Sequence, residues 1–496
     1  MTAAGVLSFL GAPAASDGAV ALAALLGIPV VAAFGLAFVR GVRAAVGLNA
    51  AASALTFGAA LALVLAPPQA GRYLFVDAFN LLLVVLTTFI AFTTSLYSIA
   101  YVTGQTRAAR WTPAFVRTYH GAYQALCFAM CLALVANNIG LMWVAIELAT
   151  LTCVAMVGSD RSKSALEAAW RYFMLGSVGV AFALFGTILV YLAAQPVLGA
   201  GAEAMLWTNL VSHAGAFSPA LLNVAFVFVI LGYGVKVGVA PMHAWLPDAH
   251  AEGPTPITAV LSGLLLNVAL HAVLRFKMML GANADALQPG PLLATIGLVS
   301  LVYAAFMLYR RADIKRLFGY SSVEHMGLMV FAFGVGGPLA NFAGLLHLVL
   351  HSFTKSAIYF VVGRIAQIKG SQKISEIHGL TEDYPALGWA LAAGVTALAG
   401  LPPFGMFMSE FLIVGSGFAQ SPLIAPPLVF GLLVGFGALM RHLARMAFGA
   451  GDGAGPRASG GGLGPIYLHL SIVLVAGVWS PPWFAAWLQR IAGMLG

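Results

Sequence analysis

A chain that strings together apolar runs of about 20 residues has few folds open to it, because backbone N–H and C=O groups in hydrocarbon must pair within their own segment. Runs of that kind recur here from residue 18 almost to the C-terminus. Only 8% of the 496 residues are charged, against about 25% in a soluble domain. The expectation is therefore an all-α, polytopic membrane protein forming one integral domain over residues 1–496, with no room for a sizeable soluble domain. Spans are placed near 18–39, 43–66, 78–101, 120–136, 138–158, 167–194, 220–242, 254–280, 290–310, 317–336, 340–368, 386–419, 424–449 and 464–493. That is fourteen helices.

Loop charge orients them. A net charge of +8 need not mean nucleic acid, since cytoplasmic loops of membrane proteins are rich in Lys and Arg. Most of the 24 basic residues, Arg457 among them, fall in alternate loops. The other side holds only Arg72, Arg275, Lys277 and Arg490, while Lys236 and Lys355 lie within helices. Both termini are then expected on the non-cytoplasmic side. The N-terminal MTAAGVLSFLGAPAASDG lacks a basic stretch, which argues against a cleaved signal peptide. The three cysteines, Cys127, Cys131 and Cys153, sit in apolar helices without metal-ligand or redox spacing and read as packing residues.

Two helices carry internal breaks: the seventh at Pro241 and the twelfth in LAGLPPFGMF, Leu398 to Phe407. Proline removes a donor and frees the carbonyl four residues earlier, here those of Val237, Leu398 and Ala399. Breaks five helices apart suggest two five-helix repeats, helices 4–8 (residues 120–280) and 9–13 (residues 290–449). An odd number of helices makes the second repeat inverted in the membrane.

Ionisable groups inside such helices cost roughly 2.5–3.5 kcal/mol each by insertion scales, so their presence points to function. Lys236 ends a long apolar run in GYGVKVGVAPMHAWLPDAHAEGPTP, and Glu147 lies mid-helix in LMWVAIELATLTCVAM. Attraction within that pair favours both charges while desolvation opposes them, which leaves both groups able to switch as a proton relay requires. His347, His351 and Lys355 recur every four residues and so line one helix face. Two histidines so spaced can hold zinc, but no HExxH glutamate or third ligand lies near them in sequence. A proton wire fits the stripe better. Glu410 follows the second break. Asn267 and His271 on the eighth helix, with His243 beside the first break, are weaker candidates. Glu324 and His325 read as lying near a helix start, and Asp248 and Asp313 as caps or loop pairs. No phosphate loop, dinucleotide fingerprint or cysteine array is present. No cofactor is expected, and redox or nucleotide chemistry would belong to partners.

Taken together, Glu147, Lys236 before a proline break, PMHAWLPDAHAEGPTP, RRADIKRLFGYSSVEHMG, HxxxHxxxK and LPPFG…SEF resemble the antiporter-like membrane subunits. That superfamily comprises the proton-pumping subunits of respiratory complex I, Mrp cation/proton antiporters and membrane-bound hydrogenases. The resemblance spans roughly residues 75–450. YFMLGSVGVAFALFG, LLLNVALHAVLRF and SSVEHMGLMVFAFG look most like the hydrogenase-4 component F branch. It implies that Glu147 and Lys236 are the coupled pair of helices 5 and 7. It also places His347, His351 and Lys355 on a central hydrophilic axis, with Glu410 as the terminal relay group. One departure stands out. Many relatives carry a lysine on helix 8 where this chain has Asn267, so the relay would pass through His271, His243 or water. The implied partners are other antiporter-like subunits and a soluble redox or zinc-containing protein. The implied cargo is protons, with Na⁺ as the alternative. A redox-driven proton-translocating subunit is the leading expectation. The alternatives are the membrane subunit of an inorganic-carbon uptake complex and a Na⁺/H⁺ antiporter subunit.

Overall fold

The computed structural model describes residues 17–453 and 461–496; most of the N-terminal stretch read above, and Arg457, lie outside them. Sixteen principal helices follow one another. They are α1 Asp17–Phe38, α2 Val42–Leu65, α3 Ala78–Arg107, α4 Pro113–Val135, α5 Ile139–Val157, α6 Lys163–Leu198, α7 Pro219–Val237 and α8 Thr255–Gly281. The second half holds α9 Gly290–Leu308, α10 Ile314–Val335, α11 Gly337–Lys369, α12 Pro385–Leu398, α13 Gly405–Gln420, α14 Ala425–Ala447, α15 Leu463–Val478 and α16 Pro482–Met494. Among the described residues no strand forms; three isolated bridges tie loops together.

Local sequence sets where the helices begin. Asp77 accepts hydrogen bonds from the Phe79 and Asn80 amides, and the Asp77 amide in turn donates to Asn80 Oδ1, which closes a capping box on α3. Thr112, Asn138, Ser162 and Asp313 cap α4, α5, α6 and α10 through their side-chain oxygens, which accept first-turn amides. The loop role expected for Asp313 is thus a cap, and Asp248 pairs with Arg171 at 2.7 Å and Arg316 at 3.2 Å.

Among the described residues, eleven helices are long and apolar enough to cross a membrane, or twelve if α15 and α16, bent by 83°, count as one. The difference from fourteen has a physical cause. In α10 the side chains of Ser321, Ser322, Glu324 and His325 dilute the apolar character. The α12 and α13 segments, 14 and 16 residues long, are each too short alone because the predicted break divides them.

Burial sorts the bundle. The apolar stretch of α8 is 100% buried and that of α11 94%, whereas α1, α2 and α14 bury less than half. The polar centre therefore lies among α8, α10 and α11, with the outer helices presenting apolar side chains to lipid. The three cysteines are buried and free, as packing residues should be.

The α6–α7 seam is lined by small residues, which let backbones approach closely. A Cβ at Gly179 would meet the Val235 side chain, and one at Gly232 would meet the backbone of Gly179 and Ala183.

Both predicted breaks are present. The α7 helix stops at Val237, where Gly238 takes a left-handed conformation and its amide bonds the Gly234 carbonyl at 2.9 Å. The carbonyl turned to a side-chain donor is that of Val235, which accepts from Trp245 Nε1 at 2.7 Å. The Ala240 amide donates to Ser300 Oγ of α9 at 2.8 Å, so a side chain satisfies the break at depth. The chain then re-enters a short helix, Leu246–Glu252. In the second break Gly400, at φ +65°, separates α12 from α13.

Candidate functional site

Two groups of buried and half-buried ionisable side chains flank the centre, and they are built differently. Glu147 sits about halfway along α5, half-buried, with Oε2 free of any hydrogen bond. Lys236 lies one residue from the end of α7, 2% exposed, and its Nζ also has no hydrogen-bond partner. Glu147 is nonetheless the carboxylate acting on it electrostatically. The structure thus brings the expected pair together as neighbours in charge, without a hydrogen bond between them.

The break shapes the lysine's surroundings. Trp245, anchored to the Val235 carbonyl, stacks on Tyr172 of α6 with centroids 4.0 Å apart. Lys236 Nζ stands 5.5 Å from the Tyr172 centroid, within cation–π range. Opposite, Gly176 leaves the space that the ammonium fills; a Cβ there would come 2.7 Å from Nζ.

The second group is closely packed and partly hydrogen-bonded. Lys355 of α11 donates to the Phe318 carbonyl at 2.9 Å and to Ser321 Oγ, both on α10. His325 Nδ1 and His347 Nε2 lie 3.0 Å apart, and His347 Nδ1 lies 2.9 Å from Ser409 Oγ on α13. The His351 ring is 5.4 Å from that of His325, with both its nitrogens unpartnered. Glu410 closes the row: one oxygen lies within 4.8 Å of the ligating nitrogens of His325 and His347. A third metal-type donor therefore does stand beside the histidines, supplied by a helix that sequence proximity could not bring in.

Glu324 and His325 correct the sequence reading. They were placed near a helix start, yet α10 begins at Ile314 and both are buried, 3% and 2% exposed. Glu324 acts electrostatically on Lys355 and on Glu410. Gly435 of α14 makes room for it, since a Cβ there would collide with the carboxylate.

Between the groups lie hydroxyls and one further imidazole. Asn267 Nδ2 donates to Ser352 Oγ at 2.8 Å and to the Gly263 carbonyl at 2.9 Å. Ser262 and Ser322 hydroxyls are 2.7 Å apart, bridging α8 and α10. His250, fully buried in the short helix after the first break, meets Tyr359 OH at 3.2 Å. His250 was not singled out in sequence because a lone histidine in a short helix leaves no periodic trace.

Two weaker candidates stand aside from this line. His271 Nε2 accepts from Arg275 Nε at 3.0 Å, and Arg275 forms a two-pronged pair with Asp77 at 2.8 and 2.9 Å. Arg275 also lies over Trp207 at 4.2 Å and is 2% exposed, so the loop position expected for it is in fact a buried ion pair. Lys277, placed in the same loop, is buried too and donates to the Leu495 carbonyl at 2.9 Å. His243 packs against Tyr303 and Tyr320, with Nδ1 unpartnered.

Comparison with known proteins agrees with this architecture. Residues 136–435 match the family described as NADH:quinone oxidoreductase/Mrp antiporter, transmembrane. The hydrogenase-4 component F homolog of Methylacidiphilum infernorum is 51% identical over 477 residues, covering 95% of this chain and 99% of the relative. Among solved structures, a chain of the membrane-bound sulfane sulfur reductase, an archaeal respiratory membrane complex, superposes with a TM-score of 0.86 at 22% identity over 97% of this chain and 98% of that one. A chain of respiratory complex I from Thermus thermophilus gives 0.80 at 21% identity, over 96% and 100%.

Proposed function

Because this chain belongs to the NADH:quinone oxidoreductase/Mrp antiporter transmembrane family, we propose that it is a proton-translocating subunit of a multi-subunit redox complex of the hydrogenase-4 or NADH:quinone oxidoreductase type. The observation that carries this reading is the row Lys355, His351, His325, His347 and Glu410, buried except for the half-buried Glu410, in which Lys355 and the His325–His347 pair are hydrogen-bonded and Glu410 lies within 4.8 Å of both pair members. Neutral imidazoles accept at one nitrogen and donate at the other, so such a row passes a proton by exchanging hydrogen bonds. Lys236 and Glu147 form the responsive pair upstream. Serine hydroxyls, His250–Tyr359 and water carry the proton past Asn267, where many relatives place a lysine. His243 and His271 flank this path.

Protons suit these groups better than Na⁺, because a hard cation needs a cage of oxygen ligands and the row is mainly nitrogen. The two breaks, five spans apart, support inverted repeats over residues 120–280 and 290–449, that is α4–α8 and α9–α14. The basic loops would face the cytoplasm of a bacterial inner membrane, with both termini outside. Structural neighbours come from multi-subunit membrane complexes, which supports assembly with other antiporter-like subunits. The similarity to hydrogenase-4 component F favours a soluble redox partner over a zinc-containing one. Proton uptake by vesicles holding the reconstituted complex tests the reading. Glu147→Gln and Lys236→Ala should lose most of it with the redox reaction retained, and near-normal uptake in both would overturn it.

A further inference from the structure

Three helices each bring one metal-type donor to a common point. His325 of α10, His347 of α11 and Glu410 of α13 place a ring nitrogen or carboxylate oxygen within 4.8 Å of one another. We propose that these three residues bind a borderline-soft divalent cation of the Zn²⁺ type, which occludes the second half of the relay. Zinc takes imidazole nitrogen and carboxylate oxygen at about 2.0–2.2 Å in a tetrahedron, so adjacent donors stand about 3.3 Å apart. His325 Nδ1 and His347 Nε2 already lie 3.0 Å apart.

The tautomer of His347 is set for this. Ser409 Oγ gives its proton to the Met406 carbonyl at 2.8 Å and can therefore only accept from His347 Nδ1 at 2.9 Å. That leaves His347 Nε2 as a lone pair, which accepts from His325 Nδ1–H; a bound cation takes that proton's place, and the proton moves to His325 Nε2, which has no partner, or to water. The α13 helix thus supplies a ligand, Glu410, and beside it the residue that orients another. His351, with both nitrogens unpartnered and its ring 5.4 Å from His325, or a water, can complete the tetrahedron. Glu324, which acts electrostatically on Glu410, is a further buried carboxyl close to the site. A bound cation would take up the lone pairs that the proton row uses. That consequence rests on the proton reading; the binding itself does not.

The test uses the intact complex, stripped with a chelator and titrated with Zn²⁺ alone, bound metal being counted after gel filtration. The wild type should hold one more zinc per complex than His347→Gln or His325→Gln, and X-ray absorption of that zinc should show two imidazoles and a carboxylate. Ser409→Ala keeps all three ligands, so it should weaken binding by about 10-fold or more even if a ligand variant fails to assemble. Removing the exposed His213 and His378 should change nothing. No zinc lost on His347→Gln, or zinc lost only with the exposed histidines, would overturn the proposal. Zinc that binds as expected while proton uptake continues undiminished would support the site and overturn occlusion.

Discussion

The two ionisable groups differ in how their charges are held. Lys236 makes no hydrogen bond, and neither does Glu147 Oε2; the lysine lies in space left by Gly176 and beside the Tyr172 ring, with Glu147 acting on it electrostatically. Lys355 is tied to the Phe318 carbonyl and Ser321, and the His325–His347–Ser409 row beyond it is hydrogen-bonded. A charge without partners has nothing fixing its protonation except the field around it, so it responds to distant charges. Bonded groups respond through geometry, because a proton can move only along bonds that already point the right way. On the reading proposed above, the first group senses and the second conducts.

That division can be broken in order of expected effect. Lys236→Met keeps the volume and removes the charge, so proton uptake by the reconstituted complex should fall on the order of 100-fold, the scale of a lost proton-transfer group; a loss under twofold would remove the sensing role. Gly176→Ala adds one methyl 2.7 Å from Nζ. Uptake should drop about tenfold, a cost of about 1.4 kcal/mol, with assembly on gel filtration unaltered. His351→Ala removes a ring that bonds to nothing in the row, so uptake should decline only severalfold while the His325–His347 pair persists. A loss as deep as that of Lys236→Met would make His351 an obligatory step. The smallest effect belongs to Asn267→Ala, which removes two hydrogen bonds, to the Gly263 carbonyl and to Ser352 Oγ. Thermal melting should register about 1 kcal/mol, with uptake close to wild type.

Some of this was legible from the chain and some was not, for physical reasons. Lys236 and Glu147 announce themselves because a charge in an apolar run contradicts its surroundings. The His347–His351–Lys355 stripe is legible because four-residue spacing is a helix face. Glu324 and His325 read as near a helix start because they lie only about two turns into the span placed at 317–336; their burial comes from α9, α11 and α13 packing around α10, which no local pattern records. The Asp77–Arg275 pair spans 198 positions, and no local pattern records contacts of that range. The nearness of Glu410 to the histidines belongs to the same class, since only the packing of α13 against α10 and α11 creates it.

Trp245 has a use that its structural role does not suggest. Fully buried, held by the Val235 carbonyl and stacked on the ring over which Lys236 sits, it is an indole chromophore in a fixed orientation a few ångströms from a switchable charge. Indole emission shifts with the local electric field, so each change in the protonation of Lys236 is written into its fluorescence. The difference between wild type and Trp245→Phe would isolate that signal and let the state of the lysine be followed optically while the complex turns over.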